Sequence, residues 1–389
     1  MQAVDFIFET LAHFAKRGDG PPPGIPARVE PEFERELIRI CERHSLAPIV
    51  LESLAALTLE PVLSEFGLER LKTLSRESEA GNERLLEALD SLTVGFRREG
   101  VSFLLVGGVA AALDLYPSID LRPLNKIDLL IRDLDWLGIL EACRGAGFRR
   151  SEREPIFNSA GEALFYHQHF GPLTLENTDG VVLCLKFRLR DLGPAEQRET
   201  AWDRAHHLGG GYADLSRVGL EDLLIRCCVR LVMSRFGNPL AAVDAGLILA
   251  RHGANLDWGY IQSRTKSFCP AFYFSCHEIA SWLNISVPAN LRRPSEARKK
   301  LFDVFWHPGR MRRSAEAPSR LRRFQFYMIE NGSLREKLTF LTTLLSPRAD
   351  WVSAFFGRPC KPWLKMRYSL LAFRDGLGMP FARGRDLWY

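Results

Sequence analysis

The fold is decided by residues 104–135, which read "LLVGGVAAALDLYPSIDLRPLNKIDLLIRDLD". An apolar strand runs into two glycines, Gly107 and Gly108, and a short apolar helix follows from Val109 to Tyr116. A second strand, "KIDLLIRD", then carries a single acid, Asp128, among apolar residues. This order of strand, tight turn, helix and strand is typical of a small α/β unit that holds a phosphate-bearing ligand at the start of the helix.

The segments on either side of this unit differ from it in periodicity. The first hundred residues repeat apolar side chains at three- and four-residue spacing, which predicts helices, and "LDWLGILEACRGAGF" predicts a helix that ends at Gly145 or Gly147. The segment "GPLTLENTDGVVLCLKFRLRD" predicts a hairpin that turns at "NTDG". We therefore predict an α+β fold: a small mixed-sheet core flanked by helical N- and C-terminal regions. The predicted regions are 1–98 (helical), 99–190 (the core), 191–290 (helical) and 291–389 (basic, aromatic and helical).

The composition is that of a globular protein, with 46% hydrophobic and 25% charged residues. No run of eighteen apolar residues is present, so no transmembrane helix is expected. The N-terminal stretch predicts an amphipathic helix, because acids interrupt its apolar residues, rather than a signal peptide. The eight cysteines are scattered through apolar surroundings, which favours reduced core thiols. A cytoplasmic location is therefore expected.

The basic charge is concentrated at the C-terminal end. Residues 291–389 hold 21 Lys plus Arg against 8 Asp plus Glu, while the whole chain has a net charge of only +5. Three interpretations stand: a solvated helical face that complements the acidic remainder, a surface that contacts an anionic membrane, or a nucleic-acid contact by phosphate pairing and stacking. The aromatic residues available for such contacts are Trp306, Trp351, Phe355, Phe356, Trp363 and Tyr368.

The second strand raises the question of metal chemistry. Two-metal transfer of a nucleotidyl group needs two Mg²⁺ ions about 3.5–4 Å apart, held mostly by carboxylates. Two acids at positions i and i+2 of a strand point to the same face and can share one ion. Here the residue two positions before Asp128 is Lys126. Its charge stands where a divalent cation would need a ligand, and the repulsion at about 4 Å amounts to a few kcal/mol.

These residues resemble the polymerase-beta-like nucleotidyltransferase superfamily and, more narrowly, a bacterial family of uncharacterised nucleotidyltransferases. That family has a glycine pair, a later "lYp…lR-p…D-I-D-L-L-V" block and a downstream "v-E-L-H-W-R-L" strand. The resemblance covers nearly the whole chain. The matching positions are Gly107-Gly108, Ala111-Ala112, Tyr116-Pro117, Leu121-Arg122-Pro123, Ile127–Ile131, Gly145–Phe148, His167, His169 and Leu185–Leu189.

The resemblance implies a set of site residues, and this chain departs from the set. The three metal-binding acids of the family fall on Lys126, Asp128 and Cys184, and Lys186 replaces the family histidine. Asp128 is thus the one implied catalytic residue and metal ligand that is retained. The candidate nucleotide-binding residues are Gly107, Gly108 and Arg122, which match the family, and Lys126 and Lys186, which depart from it. A nucleoside triphosphate is the implied ligand, and the implied Mg²⁺ has lost two of its three carboxylates.

Two functions follow from this pattern. The first is a catalytically impaired or inactive member that binds a nucleotide or another anionic small molecule, with Asp128 paired to Lys126 or Arg122. The alternative is an active Mg²⁺-dependent nucleotidyltransferase that modifies a small molecule or peptide, using Asp128 and a displaced acid such as Glu176. The sequence further predicts an inert core thiol at Cys184, structural roles for His167 and His169, and a turn at His206-His207.

Overall fold

A computed structural model describes residues 3–16, 29–132, 136–150, 172–187, 198–234, 237–265, 270–282, 287, 291, 349, 352 and 359–374. It has an α+β architecture in which helices flank a seven-stranded mixed sheet, so the predicted fold class is confirmed. The segments predicted to be helices or strands from apolar spacing and glycine breaks form such elements where the structure describes them, with small shifts at their ends.

Four helices form the N-terminal region: α1 (Ala3–Lys16), α2 (Pro31–His44), α3 (Ala47–Ala56) and the 34-residue α4 (Glu65–Arg98). The Ser64 hydroxyl caps α4 by accepting a hydrogen bond from the Gly67 amide at 3.0 Å. The Glu34 carboxylate in turn accepts hydrogen bonds from the Ser64 amide and hydroxyl, each at 2.6 Å. This arrangement ties α2 to the start of α4, whose second half, from Leu85 to Phe96, packs against the sheet.

The sheet contains β1 (Phe103–Leu105), β2 (Lys126–Ile131), β3 (Arg149–Arg150), β4 (Leu173–Glu176), β5 (Val182–Lys186), β6 (His206–His207) and β7 (Ser216–Arg217). Their order across the sheet is β3-β4-β5-β2-β1-β7-β6. The β2–β5 and β1–β7 pairs are parallel, and the other pairs are antiparallel. Strands β4 and β5 form the predicted hairpin, and the Asn177 side chain accepts hydrogen bonds from the amides of Asp179 and Val181 within its turn.

Each face of the sheet packs against a different hydrophobic core. Ile127, Leu129 and Ile131 of β2 point to the face that is covered by α4 and by α6 (Trp136–Gly145). The alternate residue Leu130 points to the opposite face, with Leu104 and Val106, toward the C-terminal helices. Asp128 is on this second side, beneath helices rather than at an open edge.

The second side is covered by α5 (Gly108–Leu115), α7 (Arg198–Asp203), α8 (Leu220–Met233), α9 (Pro239–His252), α10 (Trp258–Thr265) and α11 (Pro270–Trp282). A further helix, α12 (Pro362–Arg374), is described near the C-terminus. Among the described residues, no helix combines the length and the apolar character that crossing a membrane requires. Trp306, Trp351, Phe355 and Phe356, which the basic-region interpretations invoke, lie outside the described residues.

Two features differ from the sequence-based expectations. The predicted turn at His206-His207 is wrong: the two residues form β6, which pairs with β7 at the edge of the sheet. The three strands β3, β6 and β7 are only two residues long. A two-residue strand carries no alternation, so its pairing is fixed by the neighbouring strand and the periodicity of its own sequence cannot reveal it.

Candidate functional site

The parallel pairing of β2 and β5 places four side chains of the candidate site on one face. Lys126 is opposite Val182, Asp128 is opposite Cys184, and Leu130 is opposite Lys186. Alternate residues of paired strands share a face, so Lys126, Asp128, Cys184 and Lys186 all point the same way. Cys184, where the resemblance places the third acid, is therefore directly opposite Asp128.

Asp128 is buried and held by lysine side chains. Its side chain is 2% exposed, and Oδ1 lies 2.6 Å from Lys186 Nζ and 4.0 Å from Lys126 Nζ. The contact with Lys186 is an ion pair without hydrogen-bond geometry at Oδ1. The predicted partner Lys126 is therefore present at the outer limit of an ion pair, and Lys186, from the neighbouring strand, is the closer one.

Two arginines of α8 complete the surroundings of Asp128. Burial by itself would raise the pKa of the Asp128 carboxyl, but Lys126, Lys186, Arg230 and Arg226 together hold it well below its usual range. Arg226 and Arg230 are one helical turn apart, so both face the same side of α8. The sequence analysis missed this pair; its signal was two arginines at i and i+4 inside the apolar run "LLIRCCVRLV".

Burial also affects the other titratable groups of the face. The pKa of Lys186 is lowered to about 8, chiefly by burial, with Arg226 and Lys126 adding to the decrease and Asp128 opposing it. The pKa of the Cys184 thiol is raised, because burial and the Asp128 charge disfavour the thiolate. A buried protonated thiol matches the inert role that the sequence predicts for Cys184.

The glycine pair lies directly against this cluster. Gly107 precedes the first residue of α5 and has φ 69°, a left-handed conformation that favours glycine. A methyl group on Gly107 would lie 3.0 Å from Asp128 Oδ2 and 3.6 Å from Arg230 Nη1, and one on Gly108 would lie 2.7 Å from Arg122 Nη1. Gly107 is therefore favoured by its backbone conformation and by close packing, and a side chain at position 108 would require Arg122 to move.

Arg122 has an anchoring role in the structure. Its Nε and Nη2 donate hydrogen bonds to Asp244 Oδ1 and Oδ2 at 2.9 and 2.6 Å, and its Nη1 donates to the Pro123 carbonyl at 3.1 Å. The Tyr116 hydroxyl donates to the same Asp244 Oδ1 at 2.9 Å. This buried network fastens the loop before β2 to helix α9. The sequence left open a phosphate contact or loop anchoring for Arg122, and the observed bonds are those of an anchor.

Glu176, the displaced acid of the alternative function, is on the same face of the sheet as Asp128 but two strands away from it. It is exposed on β4, where it pairs with Val182 of β5, which in turn pairs with Lys126 of β2. Two strand spacings, or about 9–10 Å, thus separate the backbones of Glu176 and Lys126. His167 and His169 lie outside the described residues.

The donor set around Asp128 does not suit the Mg²⁺ ion that the resemblance implies. Within the part of the chain that the structure describes, no three His, Cys, Asp or Glu side chains come together in a group able to hold a metal ion. Mg²⁺ prefers oxygen ligands in octahedral geometry, whereas Asp128 has ammonium and guanidinium groups as its neighbours. The face can instead neutralise negative charge.

Comparison with known proteins gives one match. Residues 31–283 match the sequence model of a family described as "Uncharacterised nucleotidyltransferase". Because the match spans well over half of the chain, the chain belongs to this family. No curated protein and no solved structure matches it.

Proposed function

We propose that this member of the uncharacterised nucleotidyltransferase family binds a phosphate-bearing anion without a divalent metal and does not carry out two-metal nucleotidyl transfer. A nucleoside triphosphate is the first candidate for the ligand. The observation that carries the proposal is the ion pair between Asp128 Oδ1 and Lys186 Nζ, at 2.6 Å, on a side chain that is 2% exposed.

The ion pair bears on metal binding through simple competition. A Mg²⁺ ion that coordinates Asp128 Oδ1 must displace the Lys186 ammonium, and an ion at either carboxylate oxygen lies close to that cation. At about 4 Å, one such repulsion costs roughly 4 kcal/mol for each unit of charge at an effective dielectric of 20. The attraction between Mg²⁺ and one monodentate carboxylate is too weak to offset several such repulsions. Mg²⁺ sites in proteins rely on carboxylates together with substrate phosphates.

The same charges favour an anionic ligand. Lys126, Lys186, Arg226 and Arg230 all act on the Asp128 carboxylate. Ammonium and guanidinium groups form strong charge-assisted hydrogen bonds with phosphate oxygens. The Lys126 and Lys186 side chains are 18% and 17% exposed, against 2% for Asp128. We therefore expect an anion to contact the lysine side chains before the carboxylate.

Calorimetry tests the proposal. ATP, GTP, CTP and UTP are titrated into the full chain, once with EDTA and once with excess Mg²⁺. We expect binding of at least one triphosphate in EDTA, weakened by Mg²⁺ because the metal neutralises the phosphate charges that the lysines recognise. Binding that requires Mg²⁺ overturns the proposal, and so does the absence of any triphosphate binding in EDTA.

The variants Lys126→Gln and Arg98→Gln make a matched pair for this titration. Each removes one positive charge, but Lys126 borders the site whereas Arg98 is exposed at the end of α4 and pairs with Glu99 at 2.8 Å. The first change should weaken triphosphate binding in EDTA and the second should leave it unaltered. Equal effects would indicate nonspecific attraction by the charge of the whole chain.

A further inference from the structure

Asp128 is surrounded by the cations Lys126, Lys186, Arg226 and Arg230. Its two carboxylate oxygens are turned toward different cations: Oδ1 toward Lys186 and Lys126, and Oδ2 toward the space over Gly107 that it shares with Arg230 Nη1. A metal ligand presents a lone pair to open space, whereas this carboxylate is directed at positive groups contributed by β2, β5 and α8.

We infer that Asp128 is the internal counter-ion of a binding site for a polyphosphate anion that carries no metal ion. The negative charge of Asp128 then opposes ligand binding. The inference rests on the proposed function and gives it a ligand class: a pyrophosphate or triphosphate group that carries its full negative charge. Asp128 thus has a role opposite to that of the acid at the equivalent position of a two-metal site, where the carboxylate is needed for binding.

Burial gives the order in which a ligand meets these groups. The side chains of Lys126 and Lys186 are 18% and 17% exposed, whereas the side chain of Asp128 is 2% exposed. A polyphosphate bound across Lys126 and Lys186 is therefore stacked over the carboxylate, with like charges only a few ångströms apart. In the ligand-free protein Asp128 compensates the buried lysine, which is costly to bury unpaired. In the complex it is a source of repulsion.

The metal-ligand role and the counter-ion role predict opposite effects of Asp128→Asn on ligand affinity. If Asp128 is a metal ligand, Asp128→Asn abolishes Mg²⁺-dependent binding. If Asp128 is a counter-ion, Asp128→Asn removes a repulsive charge and leaves the lysines and arginines in place, because asparagine has nearly the same shape. Coulomb attraction at such distances leads us to expect about tenfold tighter binding of the anion.

The experiment uses sodium pyrophosphate as the probe, in EDTA, with the wild-type chain and Asp128→Asn. Calorimetry should give about tenfold tighter pyrophosphate binding to the variant. Thermal unfolding should show that the free variant is less stable than the wild type and that pyrophosphate raises its Tm more. Glu176→Gln is the matched control, because it also removes one carboxylate of the same sheet, from an exposed position on β4. It should change neither the affinity for pyrophosphate nor the Tm.

The outcomes separate this inference from the proposed function. If the wild type binds pyrophosphate in EDTA and Asp128→Asn binds it more weakly, the counter-ion role is wrong while the proposed function stands. If the wild type binds neither pyrophosphate nor any triphosphate in EDTA, the proposed function itself fails. Should Asp128→Asn not fold, Asp128→Asn with Lys186→Met removes both members of the pair. That double variant should bind pyrophosphate no more weakly than Lys186→Met alone, and clearly weaker binding overturns the inference.

Discussion

The Lys186 ammonium on β5 lies 2.6 Å from the Asp128 carboxylate on β2. The two strands pair in parallel, although α6, β3 and β4 lie between them along the chain. The resemblance implies that Asp128 is the one family acid that this chain retains. The cation beside it, Lys186, is at the position where the resemblance implies a histidine. The proposal of metal-free anion binding rests on this contact.

The pH dependence of anion binding should follow Lys186. A lysine attracts an anion only while it is protonated, and burial lowers the pKa of Lys186 to about 8. The contribution of Lys186 to the affinity for pyrophosphate should therefore be full below about pH 7 and fall as the pH rises through about 8. Isothermal titration between pH 6.5 and 9.5 measures the change. Lys186→Arg, which stays charged over this range, should remove the decrease; an unchanged profile would assign the titration to another group.

Restoring acids at the two substituted positions should create a metal site. Residues 126, 128 and 184 share one face in the observed register, so Lys126→Asp with Cys184→Glu gives three carboxylates within reach of one ion. We expect the double variant to bind Mn²⁺ in calorimetry and the wild type to bind none. The control Lys126→Asn with Cys184→Gln has side chains of the same size without charge. If the acidic variant gains no metal binding, the three positions do not form one site.

Substitution of the glycine pair should test how closely it packs. Gly107→Ala forces a side chain into φ 69° with its methyl group 3.0 Å from Asp128 Oδ2, which should cost about 1–3 kcal/mol of unfolding free energy. Gly108→Ala brings a methyl group 2.7 Å from Arg122 Nη1 and should also destabilise. Urea unfolding measures both. Gly81→Ala in α4, where no atom lies within 4 Å of the added methyl group, should instead stabilise by up to about 1 kcal/mol.

The Arg122–Asp244 pair should be important for stability, because both side chains are buried. Asp244→Asn leaves the Arg122 guanidinium buried with a neutral partner and should cost about 3–5 kcal/mol in urea unfolding. The exposed pair between Arg39 and Glu36, at 2.7 Å, provides the comparison, and Glu36→Gln should leave the unfolding midpoint unchanged within error. A similarly small effect of Asp244→Asn would show that the buried network is not what fastens the β2 loop to α9.

The buried cysteines should resist thiol reagents in the folded protein. Burial raises the pKa of Cys41, Cys143 and Cys227 to about 12, so very little thiolate is present at pH 8. Peptide mapping after brief treatment with iodoacetamide should find these three unmodified in the native state and modified in urea. Native-state modification of any of them at the rate of the unfolded chain would contradict the buried positions.

The hydrophobic periodicity of the sequence was sufficient to predict the long elements. Helices α4, α8, α9 and α11, the strand β2 and the β4–β5 hairpin all follow from apolar spacing and from turn residues, because these signals are local. The i, i+2 spacing also sufficed to place Lys126 on the same face as Asp128. The two-residue strands β3, β6 and β7 could not be foreseen, since their only support is pairing with a neighbour.

The sequence by itself predicted that Asp128 lacks acidic partners, because Lys126 and Cys184 stand where strand spacing and the family resemblance imply acids. Only the tertiary structure decided which cations surround Asp128. Lys186 reaches it because β2 and β5 pair in parallel, and Arg226 and Arg230 act on it because α8 covers this side of the sheet. Likewise, Arg122 reads as a candidate phosphate ligand until Asp244, from α9, is found bound to it. Electrostatic interactions depend on distance in space and on burial, and neither quantity is encoded by position along the chain.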